Sequence, residues 1–162
     1  MSEPRVIGID IGVQGAIAIL NVTGDLIDVH DMPVLSDGPK GRRSVNAPLL
    51  AAIIFKSHAS LAFVEFVGAR PGEGAVGAFA FGRSRGVIEG VLGAAGIPCA
   101  FIAPASWKRA VGLSLASKDA ARAEAIRRWP NHAERFARVK DDGRAESALI
   151  AVAGMLRKGS SP

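Results

Sequence analysis

Up to about residue 30 the chain reads as strands, and after residue 45 as helices alternating with strands, an order that admits few folds. Val6–Asp10, Gly15–Leu20 and Leu26–His30 are short apolar or alternating runs. Asn21-Val22-Thr23-Gly24-Asp25 has the composition of a hairpin turn, so the first three strands make an antiparallel meander. Beyond it, Met32–Ser44 (MPVLSDGPKGRRS) carries prolines, glycines and three cations and reads as a mobile loop. A helix is expected from Asn46 as N-cap, with Pro48 in its first turn, to about His58. Leu61–Val67 is then a buried strand, the segment after Gly74 a long helix to Ala95, and Ile97–Ala103 a strand closed by Pro104. Helices over about Ala105–Val111, Lys118–Trp129 and Asp142–Arg157 complete the chain. A crossover helix between strands implies parallel pairing, so the expected architecture is α/β: a five-stranded mixed sheet, meander plus parallel strands, flanked by helices.

Two carboxylates stand out against this pattern. Asp10 in VIGIDIG and Glu65 in LAFVEFV each interrupt an apolar strand. An ionised carboxylate buried without a partner costs several kcal/mol or neutralises, so a compensating cation is required. Asp142 and Glu146 are four residues apart on the last helix, on the face marked inward by Ala145, Leu149, Val152 and Leu156. Helix N-terminal charge stabilisation explains such a pair when it stands alone. Four acidic side chains with no cysteine or paired histidine set suit Mg²⁺ or Mn²⁺ rather than Zn²⁺. Two such ions about 4 Å apart activate water and stabilise a leaving oxygen in phosphodiester hydrolysis.

Asp10-x-Gly12-x-x-Gly15 is equally the phosphate-binding hairpin of sugar kinases and actin-like ATPases. Those folds need two such domains and a second phosphate loop, for which 162 residues leave no room. Charge separates along the chain: 12 of the 20 Lys and Arg lie beyond residue 103, against 6 of the 15 acidic residues. A basic final third suits a polyanion such as nucleic acid, and equally a solvated surface. Arg127, Arg128, Arg135, Arg138 and Lys140 belong to that surplus. The single cysteine, Cys99, forms no internal disulfide, and Pro98 and Pro104 break the uncharged window Gly90–Trp107. The expectation is a soluble cytoplasmic protein with no membrane partner.

Five stretches occur in an order seen elsewhere: GIDIG around Asp10; Val64-Glu65-Phe66-Val67; Phe81-Gly82-Arg83-Ser84-Arg85-Gly86-Val87; Pro104–Gly112 followed by Ser117-Lys118-Asp119; and Asp142–Ala151. Together they resemble the RuvC family of Holliday junction resolvases, most closely its phage-type branch, on the ribonuclease H-like fold. The resemblance covers nearly the whole chain and implies a nuclease domain over residues 1–158, with 159–162 a short tail. It implies a homodimer making paired, metal-dependent nicks in four-way DNA junctions, with Asp10, Glu65, Asp142 and Glu146 as ligands of Mg²⁺ or Mn²⁺. Lys108, Lys118, Arg83, Arg85 and Arg109 are then the expected DNA contacts, Lys118 also stabilising charge at the scissile phosphate. Ile11 replaces the family's usual proline, and the last two ligands are four apart rather than three, which keeps Asp141 as an alternative. Gly68 stands where bacterial members carry a junction-wedging aromatic; Phe66 is expected in the core. Trp107 is a core anchor or a DNA contact, and Gly82, Gly86 and Gly90 suit close packing on the sheet or on a second subunit. The same fold also serves nucleases of RNA or other branched DNA, and a non-catalytic junction-binding protein is the alternative of another class.

Overall fold

The computed structural model describes residues 3–117 and 119–159; Lys118 and residues 160–162 lie outside them. Strands β1 (Arg5–Asp10), β2 (Ala16–Asn21) and β3 (Leu26–Asp31) form the expected meander. The β2–β3 turn is built by Asn21, whose Oδ1 accepts from Thr23 N–H at 3.1 Å and Asp25 N–H at 2.8 Å. This side chain replaces the backbone partners that a tight turn leaves unmet.

Helix α1 (Ala47–Ser57) starts where its capping signals place it, with Asn46 Oδ1 accepting from Leu49 N–H at 3.2 Å. The loop before it differs from expectation. Residues Val34–Leu35 (β4) pair antiparallel with Ser44–Val45 (β5), so the Gly/Pro-rich segment is a small hairpin around a 3-10 turn at Pro39–Gly41. Two-residue strands are too short to leave a periodic signal.

Strand β6 (Ala59–Glu65) runs parallel to β1 with Ile9 opposite Val64, and β7 (Cys99–Ile102) runs parallel to β6 with Glu65 opposite Ile102. The five-stranded order is β3-β2-β1-β6-β7. The fold class expected from sequence is the one observed. Strand β6 stops at Glu65, two residues short of its expected end. Phe66 still donates its N–H to the Ile102 carbonyl at 2.8 Å, but it lies past the strand's end and is 45 % exposed, against the core position expected for it; its ring packs edge-on to Phe101.

Strand alternation divides the core between the two faces of the sheet. Ile7, Ile9, Ala62 and Val64 pack with Leu50 and Ile54 of α1 and Ile88 and Leu92 of α2 (Ala75–Ala94). Val6, Ala18 and Phe63 face the other way, toward α3 (Pro104–Ala110), α4 (Ala120–Arg128) and α5 (Asp142–Gly159). Two 3-10 stretches, Pro130–Phe136 and Val139–Asp141, join α4 to α5 and bury Phe136 fully; the sequence reading had no helix there. Helix α5 includes Gly159, which the expected boundary had assigned to the tail. The glycines of α2 do not pack on the sheet: its buried residues are Ser84, Ile88 and Leu92, and a Cβ on Gly82, Gly86 or Gly90 would meet nothing within 4 Å.

Helix α5 lies directly on β1. A Cβ at Gly8 would sit 1.9 Å from the carbonyl oxygen of Ser147, so no residue larger than glycine fits between strand and helix. Arg144 fastens the same helix to the end of β3, its Nε and an Nη donating to the two Asp31 oxygens at 2.7 and 2.8 Å. No helix among the described residues is long and apolar enough to cross a membrane.

Candidate active site

Parity along the strands decides where the acidic residues point. Asp10 shares the side of β1 with Val6, and Glu65 shares the side of β6 with Phe63, so both face α5. They end adjacent parallel strands, and the close docking of α5 brings Glu146 to them. One oxygen from each of Asp10, Glu65 and Glu146 lies within 4.8 Å of the others.

Such crowding is electrostatically unfavourable. Burial, then the charges of Glu146 and Glu65, push the Asp10 carboxyl well above its ordinary range, and a hydrogen bond with Glu65 favours the shared proton. Burial and the charge of Glu65 also raise Glu146, with the ammonium of Lys108 acting in the opposite direction. The three side chains are thus placed to hold a cation.

Glu65 is oriented by a neighbour that sequence reasoning left between two roles. Trp107 is fully buried, and its indole N–H donates to Glu65 Oε1 at 2.9 Å. It is a core anchor that also positions a carboxylate. Lys108, the next residue, carries its Nζ 5.5 Å from the Trp107 ring centre and borders a small hollow with Glu146, Asp142 and Ser117. Trp107→Phe keeps one ring in place but removes the donor together with the rest of the buried indole, so a cavity cost adds to the lost hydrogen bond. It is expected to cost at least about 1.5–3 kcal/mol in a urea melt, the range for a hydrogen bond to a charged group alone.

Asp142 stands one turn before Glu146 and outside the triad. Arg122 Nε donates to its Oδ1 at 2.9 Å, and Arg122 is also bound by Asp119 and the Ala137 carbonyl. Asp141 points elsewhere: it is 1 % exposed and accepts from Arg138 Nη2 at 2.8 Å and from the Arg138 backbone N–H at 2.9 Å. Burial opposes its charge, yet these hydrogen bonds outweigh burial and hold the carboxyl below its usual value.

Asp10, Asp142 and Glu146 open onto a cleft of about 1200 Å³. Other parts of its lining come from the β4–β5 hairpin, through Arg42 and Arg43, and from the first half of α2, through Val76, Phe79 and Arg83. Of the expected DNA contacts, Lys108 is beside the triad and Arg83 is on the cleft, 3.6 Å from Asp37. Arg109 is exposed on α3. Arg85 does not line the cleft; its guanidinium covers the rings of Phe66 and Phe101 at 4.8 and 4.6 Å. Lys118 lies outside the described residues. Much of the basic surplus is engaged internally, Arg127 and Arg128 with Glu124, Arg135 with Asp28 and Arg138 with Asp141. The sequence reading missed the Trp107–Glu65 hydrogen bond, the Arg122–Asp142 pair and the hairpin arginines on the cleft. No spacing rule links residues so far apart in the chain.

The five-stranded mixed sheet, in the order β3-β2-β1-β6-β7 with helices on both faces, is an architecture shared with solved RuvC structures. Among solved structures the chain is similar to Thermus thermophilus RuvC in complex with Holliday junction substrate, with a TM-score of 0.71 and 15 % identity over 98 % of this chain and 97 % of that one. A second Thermus thermophilus RuvC structure matches with a TM-score of 0.65 and 18 % identity over 96 % and 97 %. No family model matches the chain, and no curated protein matches it in sequence.

Proposed function

We propose that the chain is a Holliday junction resolvase, a divalent-metal-dependent endonuclease that nicks four-way DNA junctions in pairs. The observation that carries this reading is the convergence of Asp10, Glu65 and Glu146 beside a cleft that also bears arginines. The fold's likeness to a RuvC bound to junction DNA supports it.

The donor set fits Mg²⁺ or Mn²⁺: three carboxylates, no cysteine or histidine, and a raised proton affinity that a divalent charge would relieve. A cation held there supplies Lewis-acid charge and lowers the pKa of a bound water. Asp10, Glu65 and Glu146 would each offer an oxygen to the one or two cations bound there, and Asp10 is the residue whose carboxyl both of the others crowd. Asp142, now paired with Arg122, would be a further carboxylate for a cation if that pair opened. Trp107 fixes the Glu65 carboxylate, and Lys108 supplies positive charge toward the phosphate, a task in which Lys118 is proposed to share. Arg83, Arg85 and Arg109 contact the DNA arms. Two chains related by a two-fold axis would present two such sites to a two-fold junction, and the open glycine face of α2 is the proposed place of contact. The proposed setting is the cytoplasm, where the junctions arise.

The test is cleavage of a synthetic four-way junction with Mg²⁺ titrated in, against linear duplex and hairpin RNA. Paired symmetric nicks in the junction, abolished by EDTA, are expected. Preferential cutting of hairpin RNA, or metal-independent cutting, overturns the proposal.

A further inference from the structure

Arg42 and Arg43 line the cleft but have so far been given no role of their own. Both are exposed and line the cleft that Asp10 and Glu146 open onto, and among the described residues no hydrogen bond or ion pair engages either guanidinium. The hairpin that carries them is nevertheless pinned. Arg42 N–H donates to the Pro39 carbonyl at 3.2 Å, and Gly38 N–H donates back to the Arg42 carbonyl at 3.0 Å. Ser44 Oγ donates to Asp37 at 2.7 Å, and the other Asp37 oxygen pairs with Arg83 of α2 at 3.6 Å. Asp37 thus closes the hairpin on itself and ties it to the helix that lines the same cleft. The hairpin backbone therefore holds both arginines at a fixed place on the cleft rim, with their guanidinium groups left to solvent.

A nucleic-acid strand entering this cleft meets three crowded carboxylates and is repelled by them. Positive charge on the rim offsets that repulsion, and guanidinium suits it because its planar fork donates two parallel hydrogen bonds to one phosphate. The apolar Val76 and Phe79, 58 % and 75 % exposed on the same cleft, offer a surface for sugar or base.

We infer that Arg42 and Arg43 form a phosphate clamp, a binding subsite for one or two backbone phosphates of the cut strand next to the scissile linkage. The inference rests on the nuclease reading and adds to it a subsite on the β4–β5 hairpin.

The test maps the cut site, then places a single neutral methylphosphonate at successive linkages of that strand and measures junction binding in EDTA. For the wild type, one or two linkages within about three nucleotides of the cut should weaken binding about tenfold, as loss of a charged hydrogen bond does. For R42A/R43A the same substitutions should cost nothing further, and the slope of log affinity against log salt should fall by about 1.5. R42K/R43K, which keeps the charges, should retain most of the affinity and reports that the hairpin tolerates substitution. A methylphosphonate penalty equal in wild type and R42A/R43A, or an unchanged salt slope, overturns the clamp. Wild type that fails to bind the junction at all overturns both readings, whereas intact wild-type binding with an unaltered R42A/R43A overturns the clamp alone.

Discussion

Asp10→Asn should leave junction binding intact and reduce cleavage by about 10³-fold or more, as expected when a ligand shared by a catalytic cation is lost. The amide keeps the shape of the side chain and removes one charge from the triad, while the basic surfaces are untouched. The same variant should fold more stably than wild type at neutral pH. In wild type without metal, the carboxyl has a raised pKa in the folded state, so its ionisation opposes folding. Below the ordinary aspartate value of about 4 it is protonated both folded and unfolded and no penalty exists. The penalty grows as pH rises from there through the folded value. The Tm advantage of Asp10→Asn, measured in EDTA, should therefore vanish at low pH and grow as pH rises above the ordinary aspartate value. Equal cleavage by variant and wild type, or a Tm difference independent of pH, contradicts the assignment.

Glu146→Gln is expected to lower cleavage by about 10²–10³-fold and to shift the Mg²⁺ titration upward, because the third oxygen donor becomes neutral. Its neighbours on the chain should behave differently. Asp142→Asn leaves the triad whole but releases Arg122, so an intermediate loss is expected. Asp141→Asn removes a buried charge held by Arg138, and should reduce stability by about 1–3 kcal/mol while folded molecules keep their cleavage rate. Circular dichroism melts and metal titrations on the three variants separate these outcomes. An inactive, stably folded Asp141→Asn beside an active Glu146→Gln would transfer the third ligand to Asp141.

How much of this was legible depends on the range of the interaction involved. Period-two alternation and the Asn46–Pro48 start signal are local, and both the meander and α1 appear where those signals put them. Asp10 and Glu65 were visible because a carboxylate in an apolar strand has no local explanation. Glu146 was visible through its helical face. The difference between Asp142 and Glu146 was not. Four-residue spacing puts both on one face, but whether the first residue of a helix meets the sheet or an arginine 20 positions earlier depends on how α4 docks. An apolar run such as Leu61–Val67 does not say where the sheet ends, and so Phe66 was misplaced. The hairpin at residues 34–45 was lost because paired segments of two residues carry no period.

The absence of any side chain between Gly8 and α5 makes the acidic cluster a property of docking rather than of strand or helix alone. Asp10 and Glu65 come with the sheet, whereas Glu146 joins them only while α5 is seated. A cation that needs all three donors therefore binds the seated form and not the lifted one, and each tenfold excess over its dissociation constant adds about 1.4 kcal/mol against opening. In hydrogen-exchange terms the amides of α5 would then become a gauge of metal occupancy, slowing with added Mg²⁺ while loops far from the cluster keep their rates. Glycine at this one strand position lets the last helix of the chain serve as the latch of the site.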